Sequence, residues 1–495
     1  MNNTESTKGL TPHLSLSRKV GTPSTSRQPV ANNDVAPREA GTIGDSPAIA
    51  ISTSSLLKGT VWTIGAYGAG QVVRLVSNII LARLLAPEFF GIMLIVYSLR
   101  TGFALISDIG IGQNIIYNKN AEDPAFYNTA WTLELVRNIF LWLICLSAAA
   151  PVAHFYQTPI LVAVIPISAL SLIIAGASSP ARYLLQKRMM LAKFNAFETI
   201  TAFAGSVVSV ILAYLNPTIW ALVWGAIFSS MATMIGSYFL LPDVRPQFHL
   251  SKDFAQQILQ FGKWIFLSSI VFFLSTNFDR LYLAKAVPLE LLGVYGISRS
   301  ISELVGLLFL RLGNVVLFPF IASHSQMARA ALHKELVPIR VKFLLAATFG
   351  FSLFAATTDL AINIIYDQRY QAATWMLPIL IFGSWFTILA NINESTLLGL
   401  GRPSYSAISN GAKFVYLLVG LPLGLRTAGV LGCVTVIAFG DLCRYIPILI
   451  GQRRERFSFA IQDLALTLTV VMLIGLWEWL RWALGLGTSF ESLPT

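Results

Sequence analysis

From Lys58 onward the chain alternates long apolar runs with short polar connections. Each run has about 20 residues or more, long enough to cross a hydrocarbon core of about 30 Å. The runs cover 59–83, 89–117, 126–152, 159–183, 195–215 and 218–241. After a polar connection holding Asp243, Arg245, Lys252 and Asp253 they resume at 262–285, 291–322, 338–358, 373–399, 405–425 and 428–451. A further run at 461–485 is interrupted by Glu478, Arg481 and three tryptophans, and reads as a thirteenth span or an interfacial helix. Residues 1–54 lack apolar periodicity and are rich in Ser, Thr, Pro, Asn and Gly, which predicts a disordered cytoplasmic tail. Glu5, Asp34, Glu39 and Asp45 argue against a transit peptide there.

The stretch from Gly59 to Asn118 sets a pattern that returns. Its turn, Ala82-Arg83-Leu84-Leu85-Ala86-Pro87-Glu88-Phe89-Phe90-Gly91, reappears 202 residues later as Ala284-Lys285-Ala286-Val287-Pro288-Leu289-Glu290-Leu291-Leu292-Gly293. Trp62 and Ser98 fall on Trp264 and Ser300 at the same step. The expected organisation is therefore a duplicated all-α polytopic membrane protein: a tail at 1–54, an N-lobe at 55–241, a connection at 242–261, a C-lobe at 262–451 and a last segment at 452–495.

Composition agrees. The chain is 55% hydrophobic and 12% charged, against about 25% charged in soluble domains. Its net charge of +11 sits in short connections and not in a nucleic-acid-binding patch, so no nucleic acid is expected. With the amino-terminus inside, the connections at 182–193, 242–261, 323–342 and 452–458 become the basic cytoplasmic ones, including Arg188, Arg340 and Arg453. The opposite connections carry only Arg83, Lys285, Arg369 and Arg426. Three cysteines in apolar surroundings and five scattered histidines make no metal or catalytic motif.

Charges inside the runs are the candidate chemistry, because a charge near the bilayer centre costs about 2.5–3.5 kcal/mol even on the lenient insertion scale. Tyr67, Gln71, Arg74 and Asn78 form one stripe on the first span, which favours a cavity over snorkelling. Arg74 and Arg100 lie at similar depth, roughly 15 Å from the outer turn. Tyr295, Arg299, Glu303 and Asn314 share a face of the eighth span, and Arg299 with Glu303 reads equally as an internal ion pair or as cavity lining. Asp108, Glu303 and Asp279 are candidate ion-coupling carboxylates, for H⁺ or Na⁺, with no other cofactor expected. Arg280 reads as an interfacial anchor, and Trp131 and Trp375 as belt residues or sugar-stacking platforms. Asn391 with Glu394, Asn410 with Lys413, and Asp441 with Arg444 read as packing contacts or snorkelling side chains, and Glu134 with Arg137 is left open.

The first turn, followed by Phe103-Ala104-Leu105-Ile106-Ser107-Asp108-Ile109-Gly110-Ile111-Gly112-Gln113, resembles the start of the Wzx-like polysaccharide transporter flippases of the multidrug/oligosaccharidyl-lipid/polysaccharide (MOP) exporter superfamily. The resemblance covers roughly residues 55–455, and an odd thirteenth span departs from its usual even count. It implies a V-shaped bundle of two six-helix lobes around a central cavity, in a bacterial cytoplasmic membrane. It also implies a substrate, a polyprenyl-diphosphate-linked glycan for exopolysaccharide or O-antigen synthesis, and partnership with a polysaccharide polymerase and export machinery. Under that reading Arg74, Arg100 and Arg299 would meet the diphosphate, with Gln71, Asn78 and Asn314 beside them. A drug or cation antiporter of the same superfamily is the alternative, though it would need acids to dominate the cavity. A membrane polymerase or ligase ranks below both, because such enzymes usually carry a large outer loop.

Overall fold

The computed structural model describes residues 53–323, 327 and 329–488, apart from the side chains of 53–64, 66, 67, 69, 261–265, 267, 305 and 308–323. The 1–52 part of the tail and the Asn314 side chain therefore lie outside the described residues. Every regular element described is helical. In order they are α1 Thr53–Leu84, α2 Pro87–Ile106, α3 Ile111–Tyr117, α4 Pro124–Tyr156, α5 Leu161–Gly176, α6 Ala181–Lys187, α7 Leu191–Leu215 and α8 Ile219–Ser237. The second half follows as α9 Lys252–Ala286, α10 Leu289–Ser323, α11 Arg329–Ile365, α12 Ala373–Gly399, α13 Ser404–Arg454 and α14 Ala460–Ala483, with a 3₁₀ turn at Gln368–Tyr370. Among the described residues, eight of these helices are long and apolar enough to cross a membrane, or nine if α5 and α6, bent by 57°, make one broken span. Large apolar side chains such as Val136, Phe140, Phe203, Leu468 and Met472 are exposed on the outside, where only lipid could cover them. The chain is a multi-pass membrane protein.

Two spans break where the sequence pattern ran on. The 89–117 run ends α2 at Ile106 and restarts as α3 after Gly110, which sits at φ 65°. The 159–183 run bends by 57° between α5 and α6, and Ser237 Oγ accepts the freed Ser179 N–H at 2.8 Å. α13 is two arms, folded back at Ala428 and Gly429, whose dihedrals are non-helical. The arms run antiparallel: Gly424 abuts Gly432, and Lys413 pairs with Asp441.

The repeated turns meet each other. A Cβ on Gly91 would stand 2.2 Å from the Leu289 carbonyl oxygen, and one on Gly293 would stand 1.9 Å from that of Pro87. Pro87 and Leu289 are themselves equivalent positions of the two copies, so α2 and α10 cross in a reciprocal contact, as in a two-fold interface. The basic residue of each turn then reaches across. Arg83 Nε donates to the Ile365 carbonyl at 2.9 Å, at the end of α11, and Lys285 Nζ donates to that of Phe155 at 2.6 Å, at the end of α4. Cations on helix C-termini satisfy carbonyls that lack an intrahelical donor. Arg369 returns the contact by donating to the Arg83 and Leu85 carbonyls at 3.1 and 3.3 Å. Its hydrogen bond to Asp367 holds that carboxyl below the usual carboxylate range. The hairpin end of the bundle is thereby closed.

Candidate functional site

The polar stripe of α1 faces two cavities at once. Gln71, Arg74 and Asn78 line a cavity of about 660 Å³ between α1, α7 and α8, with Tyr97 of α2, Asn195, Thr199 and Ser206. The same three residues line a narrower gap of about 170 Å³ against α10, where Ser300, Glu303 and Leu304 face them together with Tyr366. The wide cavity exists beside a tightly packed wall: a Cβ on Gly225 would collide with Ser209, and one on Gly205 with Ser229, so small residues hold α7 and α8 together. Among the described residues, Arg74 has no carboxylate within ion-pair distance and no hydrogen bond.

The other two arginines have partners. Arg100 Nη1 donates to Ser171 Oγ of α5 at 2.8 Å, and its guanidinium lies 5.0 Å from the Tyr97 ring centre. Arg299 Nε is 3.0 Å from Glu303 and 3.8 Å from Asp279. Arg280 Nη2 approaches Glu303 to 2.5 Å, and the Tyr295 hydroxyl donates to Asp279. The reading of Arg280 as an interfacial anchor is thus corrected: its helical face turns toward α10, where Glu303 binds it. Two of the candidate coupling carboxylates, Asp279 and Glu303, are engaged in this four-charge cluster. Asp108 accepts the Gly110 N–H at 2.9 Å and lies 3.9 Å from Arg137.

The C-half holds two more buried networks. Lys413 Nζ donates to Asp441 at 2.9 Å, Thr387 Oγ1 donates to the same carboxylate at 2.7 Å, and Arg444 bridges to Asn391 at 2.9 Å and to Glu394. These side chains therefore tie α12 to α13 and do not snorkel. Arg340 is 1% exposed and donates to Asp463 at 2.5 Å, with Asn393 and Tyr445 completing the cluster. Sequence reasoning counted Arg340 among the loop charges of 323–342. α11 begins at Arg329, however, so Arg340 is three turns into a helix. At the other end of α14, Arg481 pairs with Asp359 of α11 at 2.7 Å. Arg340 with Asp463 and Asp359 with Arg481 fasten α14 parallel to α11 at points 18–19 residues apart, about 27 Å along each axis. Asp463 near the start of the 461–485 run and Arg481 near its end are the sequence signals of this clasp. Trp131 and Trp375 are buried within the bundle and so are not belt residues.

The chain is 23% identical over 366 residues to the lipopolysaccharide biosynthesis protein WzxC of Escherichia coli (strain K12), covering 72% of this chain and 73% of that protein. It is 21% identical over 405 residues to the teichuronic acid biosynthesis protein TuaB of Bacillus subtilis (strain 168), covering 80% and 81%. Among solved structures, the lipid II flippase MurJ in an inward closed conformation superposes with a TM-score of 0.67 at 11% identity, covering 84% of this chain and 92% of that one. Residues 80–374 match a family described as polysaccharide biosynthesis protein, and the chain belongs to that family.

Proposed function

We propose that this protein is a flippase that carries a polyprenyl-diphosphate-linked oligosaccharide across the bacterial cytoplasmic membrane by alternating access of its two halves, without covalent chemistry. The observation that carries the reading is Arg74: a cation at mid-span on the wall shared by both cavities, with no ion-pair partner among the described residues, since the acids that line those cavities, Glu198 and Glu303, are held by Arg182 and by Arg280 with Arg299. An arginine there stays charged and offers bidentate donors that match phosphate oxygens. Gln71 and Asn78 would add neutral hydrogen bonds to the same headgroup. Arg100 and Arg299, already held by Ser171 and by Glu303, would shape the field around the diphosphate, with Arg74 making first contact.

The basic connections favour a cytoplasmic amino-terminus, which puts the hairpin end outside and makes this a state closed to the outside. The α11–α14 clasp favours α14 as a thirteenth crossing, which would place its end outside as well. An H⁺ or Na⁺ gradient would drive the cycle. A polysaccharide polymerase and export machinery would take up the product.

Reconstitution with labelled lipid-linked oligosaccharide tests the reading. Flipping in Arg74→Ala should fall about tenfold to a hundredfold, the scale of one charged hydrogen-bonding group, while Arg74→Lys keeps part of the rate. Unchanged flipping in Arg74→Ala at equal protein in the bilayer overturns the assignment.

A further inference from the structure

Glu134 differs from the other carboxylates inside this bundle. It lies ten residues into α4, about 15 Å from the start of that helix. It opens onto a cavity of about 400 Å³ shared with Asp108, Gln113, Arg137, Tyr183 and Gln186. Its partner is neutral: the Tyr183 hydroxyl donates to Glu134 Oε1 at 2.9 Å. Asp279, Glu303, Asp359, Glu394, Asp441 and Asp463 each have an arginine or lysine nitrogen within 3.8 Å. Among the described residues Glu134 has none.

The charged neighbours are committed elsewhere. Arg137, one turn along α4, donates from Nη2 to the Ala104 carbonyl at 2.8 Å and from Nε to Ser107 Oγ at 3.0 Å, and stands 3.9 Å from Asp108. Those contacts close the last turn of α2, where the span breaks. Arg182 of α6 is 2.9 Å from Glu198 of α7. His249, in the connection before α9, meets α4 through its backbone N–H, 3.2 Å from Thr132 Oγ1.

We infer that Glu134 is the carboxylate that takes up and releases the coupling proton, and that Arg137 passes its charge state to α2. Glu134 is half-buried with a hydroxyl as its partner, and a carboxylate partly withdrawn from water without a cation is poorly compensated when ionised. A proton from the cavity restores neutrality. Loss of that proton calls for a cation, and Arg137 at i+3 is within side-chain reach if it exchanges its present contacts for the carboxylate. Arg137 then leaves the Ala104 carbonyl and Ser107, and the end of α2 loses its cap. α2 packs against both α9 and α10, so proton occupancy acts on the seam between halves.

The word coupling rests on the transport reading, so the test has two arms. In the first, hydrogen exchange of the full chain in nanodiscs, normalised for intrinsic pH dependence, follows amides 103–110 between about pH 5.5 and 8.5. Protection should fall about tenfold as pH rises in the wild type. It should stay high in Glu134→Gln and keep its transition in Asp108→Asn. Tyr183→Phe, which removes a hydrogen bond to the ionised form, should move the midpoint to higher pH. A wild type without a transition, or Glu134→Gln retaining it, overturns the inference. In the second arm, an imposed pH gradient should accelerate flipping of labelled lipid-linked oligosaccharide in the wild type and not in Glu134→Gln, and acceleration in both overturns it. A wild type that flips nothing removes the transport reading, and the exchange arm then decides Glu134 alone.

Discussion

On one side of the seam between halves, Gly102 of α2 meets Phe273 of α9, so closely that a Cβ on Gly102 would stand 2.6 Å from the ring. On the other side the equivalent positions, one repeat step away, are Leu304 of α10 and Gln71 of α1, and these line the 170 Å³ gap. The hairpin turns show no such inequality, since Gly91 and Gly293 abut reciprocally and Arg83 and Lys285 cap each other's half. The charged cluster is also one-sided. Asp279, Arg280, Arg299 and Glu303 occupy positions that in the first copy hold Ser77, Asn78, Tyr97 and Thr101. The repeated segments are thus alike where backbones must touch and differ where side chains face space. One wall is an ionic scaffold locked in pairs; on the other, among the described residues, Arg74 has no ion-pair partner and the acid of its cavity, Glu198, is held by Arg182.

The largest effect should come from the element that only the C-half possesses. Arg340→Met strands Asp463 in the core, and breaking a buried pair costs about 3–5 kcal/mol. Thermal unfolding in detergent should show that loss, with recovery in Arg340→Met/Asp463→Leu. Arg182→Ala, at the half-exposed pair with Glu198 in the N-half, should change stability by about 1 kcal/mol or less. Equal losses at the two sites would erase the contrast between a clasped and an unclasped half.

Next come the glycines of the crossing. Gly91→Ala and Gly293→Ala should each destabilise by about 1–3 kcal/mol, because each Cβ meets a backbone carbonyl that cannot rotate away. Gly68→Ala, with open space around it, should be neutral or stabilise by up to about 1 kcal/mol. A large difference between the first two would show that the crossing is not a reciprocal one.

The open side can be remade as a copy of the closed side. Gln71→Phe with Leu304→Gly should fill the gap and slow flipping by about tenfold or more, the loss expected from about 1.4 kcal/mol of added seam stability. Normal flipping in that double variant would separate the gap from the transport path. The smallest effects belong to the crossed caps. Arg83→Ala and Lys285→Ala should each lower unfolding stability by about 0.3–1 kcal/mol, and by equal amounts. Unequal losses would limit the symmetry to the glycines.

The helical, membrane-spanning character of the chain was legible in the sequence because it depends on local periodicity, and the repeated turn was legible because its residues match at a fixed step. The Arg299–Glu303 pair was legible for the same reason, being one helical turn long. The breaks inside the second and fourth spans were not, since an apolar run reads the same whether its backbone continues or bends. Nor were the partners of Arg280, Arg340 and Glu134, which are Glu303, Asp463 and Tyr183, from 23 to 123 residues away. Sequence by itself determined which faces are polar and at what depth. Only the tertiary structure decided which polar face found an opposite charge, which found a hydroxyl and which was left facing space, because burial leaves a charge paired or unpaired according to the helix that packs against it.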